Sequence, residues 1–473
     1  MKFKLESRSL AVYVSLVAAM LVGVYLRLRH IDSRGLWLDE AFSVSVSDPV
    51  HHFVDVYRAT LSDVHPPFYQ ILLWVYYHCF GFGEFTGRYL SAALGVLLIP
   101  GAFFLGRKLF DQQVGVLFAW LVAVNYFLIR YSNETRSYAL LVFLTVVSFW
   151  LFIRCVRQSG FIDFLGYFVV SAMLINTHYF GYLAVISQAC LALYILLKKD
   201  LALNVFYRFL GAGFFTVLTV LPGLSYTKVA FGRQDFWIPP PGENFFFVVF
   251  SEYFGNAFLA FMAAIMFIAG FVSLTVSDRK KESFRLLVFW LMLGVVVPYV
   301  CSVYFTPVTT VRNFIVLLPV VLLLIAFAIE GVKDKAVRML VLVVFLCFSA
   351  TPVFEGSSKF VQGQNPAFNS MQMREIVESA ISKGHGVPVY SIDDIQFGVY
   401  FKLLGSPVHV ENFKKLASDL NAMRSPEKFY VLETTYTPSL ESDEVFLKQF
   451  KVVLISKEEL NEVRLLEFRS LKP

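Results

Sequence analysis

Two adjacent carboxylates follow the first long apolar run of the sequence. They are Asp39 and Glu40, and the apolar residues Trp37, Leu38 and Ala41 flank them closely. An acidic pair in an arbitrary loop is most simply a solvated pair. Here the flanking residues indicate partial burial, which raises the proton affinity of a carboxylate and suits a general base. We therefore predict that Asp39 and Glu40 are catalytic.

A carboxylate and an imidazole come next along the chain. Asp63 and His65 precede Pro66 and Pro67, which restrict the backbone and favour an extended His65. The simpler interpretation is a rigid turn that His65 caps. An Asp-x-His pair is weak evidence for a metal, but with the two carboxylates above it could complete a site for Mg²⁺, Mn²⁺ or Zn²⁺. His178 has a weaker case, and we expect it to be a hydrogen-bonded interfacial residue.

A group of arginines lies on what the loop charges predict to be the outer side of a membrane. Any one of them is more simply explained by pairing with an acidic residue, such as Asp32, Asp55, Glu84 or Glu134. As a group they favour an anionic lipid headgroup as ligand, because arginine is well suited to clamping phosphate. Arg88 is the first choice. The group comprises Arg27, Arg29, Arg34, Arg58, Arg88, Arg130, Arg136 and Arg312.

The stretch 131–138 combines two tyrosines, a carboxylate and an arginine. Helical spacing would place Tyr131 and Glu134 on one face, and likewise Glu134 and Tyr138. The simpler interpretation is an ordinary polar turn between two membrane crossings. Arg136 lies in the same stretch, so a polar site and a plain turn both remain open here.

Membrane helices must position these residues. The chain has 473 residues, 57% of them hydrophobic and 16% charged, whereas ordinary soluble domains carry about 25% charged residues. This composition predicts a polytopic membrane protein. The net charge of +6 follows from basic loops and gives no argument for nucleic-acid binding. The 5 cysteines show no paired ligand-type spacing, which argues against a disulfide framework or a zinc–thiolate site.

The sequence contains about eleven candidate membrane spans, each near the roughly 20 apolar residues that a crossing takes. The first is longer than the apolar region of a signal peptide and lacks a small-residue cleavage site, so we expect a retained helix. The spans are Leu10–Leu28, Tyr89–Leu105, Val114–Ile129, Tyr138–Ile153, Phe164–Thr177, Tyr182–Leu197, Phe209–Leu224, Ala257–Val276, Phe284–Phe305, Phe314–Gly331 and Val337–Phe354.

Basic loops occur at every second junction between these spans. Cytoplasmic loops hold the excess of lysine and arginine, so the N-terminus is predicted to be cytoplasmic and the C-terminal tail extracytoplasmic. Phe68–Phe80 is apolar but shorter than a span, and counting it as a crossing would invert every later loop. We therefore expect an amphipathic or re-entrant segment at the outer face.

From about Gly356 the composition becomes mixed and polar. Apolar runs rich in β-formers alternate with helical patterns, which predicts a small α/β domain without a phosphate loop or a nucleophile elbow. We thus expect a transmembrane domain at 1–355, with a catalytic outer loop at 29–69, and a soluble extracytoplasmic domain at 356–473. The predicted strands are Val387–Ile392, Val408–Val410, Phe429–Leu432, Val452–Ile455 and Val463–Phe468, and the helices Ser370–Ser382, Phe413–Met423 and Asp443–Phe450.

With these residues assembled, the chain resembles the membrane glycosyltransferases of the GT-C fold. The resemblance is to the bacterial branch related to protein O-mannosyltransferases and lipid A aminoarabinose transferases, similar to glycosyltransferase families 39 and 83. It covers roughly the first third of the chain, in the family's order. The matching motifs are Trp37-Leu38-Asp39-Glu40-Ala41, Asp63-x-His65-Pro66-Pro67, Arg88-Tyr89-Leu90-Ser91-Ala92-Ala93-Leu94-Gly95, Gly106-Arg107-Lys108-Leu109-Phe110 and Tyr131-Ser132-x-Glu134-x-Arg136-x-Tyr138.

The resemblance implies an α-helical polytopic enzyme of the bacterial cytoplasmic membrane, with its active site on the periplasmic face. It would transfer a hexose or pentose from a polyprenyl-phosphate donor to a lipid, glycan or protein acceptor, with inversion, as mannosyltransferases of the family do. In related enzymes the aspartate of the Asp-Glu pair is taken as the base, a role that carries to Asp39. Metal binding or acceptor positioning falls to Glu40 and His65, and binding of the leaving phosphate to Arg88 and Arg136. The remaining substrate-binding candidates are Asp63, Tyr131, Glu134 and Tyr138.

Three other functions share many of these features. A transporter or flippase for a polyprenyl-linked lipid would carry its polar residues at the membrane midplane in broken helices, whereas here they concentrate at the predicted outer ends. An oligosaccharide ligase, which transfers a preassembled glycan, is not cleanly separated from single-sugar transfer by sequence. A non-catalytic assembly subunit that keeps the fold is the third.

Overall fold

The chain divides into two units, which we describe separately. A computed structural model describes residues 2–29, 31–32, 35–62, 65–224, 238–277, 280–355, 372–384, 386–421, 426–434, 439–440 and 444–471. The first unit comprises Met1–Arg29, His51–Tyr76 and Arg88–Val361, and the second comprises His30–Val50, Tyr77–Gly87 and Gln362–Pro473. Two early segments therefore belong with the C-terminal part of the chain. The predicted boundary at 355/356 stays a prediction.

The described residues between 2 and 355 form helices, apart from short turns and loops. Seven of these helices are long and apolar enough to cross a membrane, or eight if one bent pair counts as a single span, among the residues described. The figure of about eleven crossings, and their orientation, stay predictions. The helices are Lys2–Leu28, Leu38–Val46, Phe53–Ser62, Phe68–Phe80, Thr86–Leu109, Gln112–Val124, Tyr126–Ser132, Tyr138–Gln158, Phe161–Ile175, Gly181–Leu197, Leu203–Leu218, Phe245–Glu252, Ala257–Thr275, Lys281–Tyr304, Leu318–Gly331 and Lys335–Glu355, with 3-10 turns at Leu221–Gly223 and Val311–Leu317.

One expected span is broken. The predicted crossing Val114–Ile129 consists of helix Gln112–Val124 and helix Tyr126–Ser132, which meet at a bend of 57°. Asn125 causes the break, because its backbone is extended and its side chain caps the second helix by accepting a hydrogen bond from the Leu128 N–H at 3.0 Å. Asn125 is a polar residue within an otherwise apolar run, and the length of that run predicted one continuous span.

The second unit contains a five-stranded sheet. The strands are β1 (Val389–Ser391), β2 (Val410–Asn412), β3 (Lys428–Thr434), β4 (Val452–Leu460) and β5 (Val463–Ser470). Their order is β2-β1-β3-β5-β4, with β1 parallel to β2 and β3, and β5 antiparallel to β3 and β4. Each of the five predicted strands overlaps an observed strand, although Val408–Val410 shares only Val410 with β2, and the small C-terminal sheet domain is confirmed.

Among the described residues after 371, four helices accompany the sheet, and one of them is not predicted from the sequence. Met373–Lys383, Phe413–Asn421 and Glu444–Phe450 correspond to the expected helices, whereas Asp394–Leu403 was not predicted. Its buried residues include Gln396, Phe397, Val399, Tyr400 and Phe401, which follow one another around the helix. Such a helix shows no one-sided apolar periodicity, so the pattern that reveals amphipathic helices is lacking.

Helix Leu38–Val46 belongs to the core of this second unit. Leu36, Ala41 and Val44 are fully buried in one apolar cluster with Phe397 and Tyr400 of helix Asp394–Leu403. Ala41 and Val44 are three residues apart and so share one helix face. The helix that carries the two adjacent carboxylates is thus held by apolar packing against the C-terminal chain.

Candidate active site

The acidic pair occupies the first turn of helix Leu38–Val46. Asp39 and Glu40 follow Trp37, whose extended backbone begins the helix. A helix N-terminus carries a partial positive charge, which favours carboxylates there. Glu40 is fully buried, whereas Asp39 is partly exposed, and the Asp39 carbonyl accepts a hydrogen bond from the Ser43 hydroxyl at 3.0 Å. Asp39 is therefore the carboxylate of the pair that a ligand can reach.

Arginine and histidine side chains meet in the first unit. Arg136 Nη2 lies 3.3 Å from His65 Nε2, and the His65 ring lies 5.7 Å from the His178 ring. His178 in turn lies 5.8 Å from the Tyr138 ring, and the Arg312 guanidinium lies 6.0 Å from that same ring. We call His65, Arg136, His178 and Arg312 the basic cluster. It gathers residues from four separate places in the sequence.

The protonation of both histidines follows from their hydrogen bonds. Arginine can only donate, so His65 Nε2 accepts from Arg136 and a neutral His65 carries its proton on Nδ1. His178 Nδ1 accepts from the Phe180 N–H at 3.1 Å, which leaves the proton on Nε2. Burial lowers the pKa of His178 well below its usual range, and His65, Arg136 and Arg312 act in the same direction. The cluster is therefore a place of positive potential, suited to an anion.

The stretch 133–137 is a turn, so the predicted helical face does not exist. One helix ends at Ser132 and the next begins at Tyr138. The Tyr131 and Tyr138 rings nevertheless meet edge to face, with centroids 5.0 Å apart. The turn is compact, because the Arg136 N–H donates to the Glu134 carbonyl at 2.7 Å. Both side chains are buried, at 2% and 3% exposure, which makes this a built polar site and not a solvated turn.

Arg27 has a structural role that its sequence position did not reveal. Its guanidinium is fully buried and donates to the Ala123 and Val122 carbonyls at 3.0 and 3.2 Å, at the end of helix Gln112–Val124. It also donates to the Ser132 hydroxyl at 3.3 Å. A cation at the C-terminal carbonyls of a helix satisfies groups that the helix leaves unpaired. Arg27 thus supports the bend of 57° and the residue just before the polar turn.

The remaining predicted residues are less defined by geometry. Arg88 is fully buried in the first turn of helix Thr86–Leu109, and its predicted phosphate contact stays a prediction. Asp63 and Arg34 lie outside the described residues. Glu84 does not pair with any of the outer arginines named above in a described ion pair; Arg374 of the C-terminal chain binds it.

The predicted metal site is not supported by the described geometry. No three His, Cys, Asp or Glu side chains stand together so as to hold a metal ion in the part of the chain that the structure describes. His65 Nε2 accepts from a guanidinium, and a cation beside Arg136 would meet like charge. The assignment of Glu40 and His65 to a metal therefore stays a prediction.

An apolar groove lies on the surface of the first unit. Its volume is about 480 Å³, and helices Phe245–Glu252 and Ala257–Thr275 line it with phenylalanine, alanine and isoleucine side chains. Ser251 closes one part of the lining, and the next residue, Glu252, has its carboxylate 3.9 Å from Arg130 Nη1. Arg130 packs 5.7 Å from the Tyr131 ring. The groove is thus linked through Glu252 and Arg130 to the two contacting tyrosines.

The chain is similar in sequence profile and in fold to several known proteins. A sequence profile of the dolichyl-phosphate-mannose-protein mannosyltransferase family matches residues 64–226. No curated protein sequence matches the chain. The apo structure of ArnT from Cupriavidus metallidurans matches with a TM-score of 0.66 at 12% identity, covering 97% of this chain and 98% of that one. ArnT bound to undecaprenyl phosphate matches with a TM-score of 0.65 at 12% identity, covering 96% and 97%.

Oligosaccharyltransferases are also similar in structure. AglB of Archaeoglobus fulgidus, in complex with an inhibitory peptide and a dolichol-phosphate, matches with a TM-score of 0.57 at 11% identity, covering 90% of this chain and 70% of that one. A structure of the oligosaccharyltransferase of that organism with Zn and sulfate matches with a TM-score of 0.56 at 12% identity, covering 89% and 68%. The chain therefore has the GT-C fold of a multi-pass membrane protein, with a small C-terminal sheet domain, as expected.

Proposed function

We propose that this chain, a membrane protein with the GT-C fold, is a glycosyltransferase that moves a sugar from a polyprenyl-phosphate donor to an acceptor hydroxyl. The observation that carries the proposal is the basic cluster, where Arg136 and Arg312 lie among neutral histidines and buried tyrosines. A leaving phosphate is the group that such a buried cationic site would stabilise. The profile match over 64–226 and the ArnT bound to undecaprenyl phosphate support the same donor class.

The proposed reaction is one displacement with inversion. Asp39 accepts the proton of the acceptor hydroxyl, whose oxygen attacks the anomeric carbon opposite the phosphate. The bond from that carbon to the phosphate oxygen breaks, and the electron pair leaves with the polyprenyl phosphate. Asp39 is assigned the base because it is the partly exposed carboxylate of the pair, whereas Glu40 is fully buried.

The donor phosphate is assigned to Arg136, with Arg88 as a second ligand and His65 holding the Arg136 guanidinium through their 3.3 Å contact. Tyr131, Glu134 and Tyr138 are assigned to the walls of the donor site. A guanidinium that another side chain already orients loses less freedom on binding phosphate.

The apolar groove supports a lipid donor in particular. Its volume of about 480 Å³ lies within the range of ligand sites, and its lining is almost wholly apolar. An isoprenoid tail would replace lipid contacts with phenylalanine and alanine side chains. Ser251 and Glu252 connect this groove with Arg130, so a headgroup would be directed toward charged residues.

The test is transfer by the purified chain in detergent. We expect wild type to transfer or hydrolyse sugar from at least one member of a panel of polyprenyl monophosphate and diphosphate sugars. Asp39→Asn should lower kcat about 10²–10⁴-fold while donor binding persists, because a general base contributes that much. Asp55→Asn is the matched control, since Asp55 is an exposed carboxylate in the neighbouring helix Phe53–Ser62.

The outcomes separate the alternatives. Turnover of Asp39→Asn at the wild-type rate would remove Asp39 as the base. Reaction with diphosphate-linked oligosaccharides alone would favour a ligase, a function for which the similarity to AglB also speaks. Donor binding without any reaction would favour a transporter. The same panel identifies the sugar that the chain transfers. The matched profile is named for mannosyltransferases, but it does not determine this sugar.

A further inference from the structure

The backbone of Leu36 is bonded on both sides by one helix of the C-terminal domain. The Leu36 N–H donates to the Tyr400 hydroxyl at 2.6 Å, and the Leu36 carbonyl accepts from Gln396 Nε2 at 3.1 Å. Tyr400 and Gln396 are four residues apart, so they project from the same face of helix Asp394–Leu403. All three residues belong to the second unit and are 3% exposed or less.

The Tyr400 hydroxyl is itself held by a second hydrogen bond. Its hydroxyl donates to Glu84 Oε1 at 2.7 Å, and Arg374 Nε donates to Glu84 Oε2 at 3.1 Å. The bonds therefore run in one direction, from the Leu36 N–H to the Tyr400 hydroxyl and on to a carboxylate that an arginine holds. Hydrogen bonds in such a chain polarise one another and strengthen each other. Residues 36, 84, 374 and 400 of the sequence are joined in this way.

Leu36 stands directly before Trp37, the N-cap residue of helix Leu38–Val46. Its backbone fixes the direction in which the chain enters the helix, and Asp39 lies in the first turn. A second hold lies at the other end of the segment, where Lys402 of the same C-terminal helix forms an ion pair with Asp48. Side chains of helix Asp394–Leu403 therefore bind the segment with Asp39 on both sides of helix Leu38–Val46, at Leu36 and at Asp48.

We propose that Tyr400 and Gln396 are positioning residues for the sugar transfer, because they hold Leu36 and thereby place Asp39. The C-terminal domain is then a working part of the active site and not only a cover. This proposal rests on the proposed function for its catalytic consequence, but the hold on Leu36 can be measured without any substrate. Both residues act through the backbone of Leu36.

The experiment compares Tyr400→Phe, Gln396→Met and the double variant with wild type in the full-length chain. The first measurement is hydrogen exchange of the amides from 36 to 48. We expect the Leu36 amide to exchange roughly tenfold faster in Tyr400→Phe, since it loses its acceptor. Exchange in strand β3 should not change. Gln396→Met keeps the Tyr400–Glu84 bond and serves if Tyr400→Phe does not fold.

The second measurement is kinetic. We expect kcat of the double variant to fall by about 10–100-fold with the KM of the donor nearly constant, because small misplacements of a reacting group are costly. Tyr430→Phe is the matched control: Tyr430 is a buried residue of the same unit, and its hydroxyl donates to the Lys383 carbonyl at 3.4 Å. Loss of a tyrosine hydroxyl alone should therefore leave kcat unchanged.

Each result decides a separate point. Unchanged exchange at 36–48 would overturn the hold. Faster exchange with unchanged kcat would show that the hold does not place Asp39, which also overturns the proposal. If wild type transfers no sugar from any donor, the proposed function fails, and with it the catalytic role; the exchange result then still decides whether Tyr400 and Gln396 fix the segment.

Discussion

In the first unit the basic cluster draws its side chains from turns and helix ends of the membrane helices, whereas in the second unit the segment with Asp39 is fixed by side chains of the C-terminal domain. His65 and Arg136, which are 71 positions apart, are brought together with His178 by the packing of helices. Leu36 and Tyr400 are 364 positions apart. The basic cluster is thus assembled by the packing of helices, whereas the segment with Asp39 is held by apolar packing and by a few polar bonds that span much of the sequence.

This difference assigns the two regions different tasks. A cluster built from rigid helices suits the binding of a charged headgroup, because its arginines need not be ordered at each turnover. The segment with Asp39 takes its position from side chains of the C-terminal chain, which belong to the same unit. We infer that donor binding depends on the first unit and the chemical step on the second.

The largest effect on the first unit is expected from Gly95→Ala. A Cβ at this position would lie 2.1 Å from the Ser132 hydroxyl and 2.7 Å from Arg27 Nε, so the Arg27 support of the bent pair would be displaced. Overpacking of this kind costs about 1–3 kcal/mol. We expect a lower thermal unfolding temperature in detergent and weaker donor binding.

Gly101→Ala provides the control for that variant. It lies in the same helix, Thr86–Leu109, and its nearest neighbour would be Val146 Cγ1 at 3.6 Å, an ordinary contact. This variant should match wild type in stability and in donor binding. Equal behaviour of the two variants would contradict the role given to Arg27 and the bend.

A smaller effect should follow pH. Folding lowers the pKa of His178 below the ordinary histidine value near 6.5. At a pH below that value, His178 therefore binds a proton in the unfolded chain but not in the folded chain. Stability from this group is therefore fully present above about pH 6.5 and declines as pH falls, by up to about 1.4 kcal/mol per pH unit. In His178→Asn, where Oδ1 can accept from the Phe180 N–H, thermal stability should decline less between pH 7 and 5. An identical decline in both proteins would show that His178 is not the group responsible.

Sequence patterns were sufficient for some of these features and not for others. The five strands were predicted because each is a short apolar run bounded by turns, and the polar residues His65, Arg136 and Tyr138 were found because they lie in motifs. Helix Asp394–Leu403 was missed because it is buried on several faces. The bend at Asn125 lies inside one apolar run, so it too left no pattern.

The residues that fix Leu36 could not be predicted at all. Tyr400, Gln396 and Glu84 belong to no motif, and each is an ordinary residue in its local sequence. Their importance arises only when distant segments meet. Long-range polar bonds of this kind require a structure, because the side chains involved carry no periodic or spacing signal.

The inference that donor binding depends on the first unit and the chemical step on the second is best tested with the affinity for sugar-free polyprenyl phosphate. This product carries the phosphate but needs no base. We expect Arg136→Gln to bind it about 10–100-fold more weakly, because a charge-assisted hydrogen bond is lost, and Asp39→Asn to bind it as wild type does. Equal affinities for Arg136→Gln and wild type, or a loss of affinity in Asp39→Asn alone, would contradict the division.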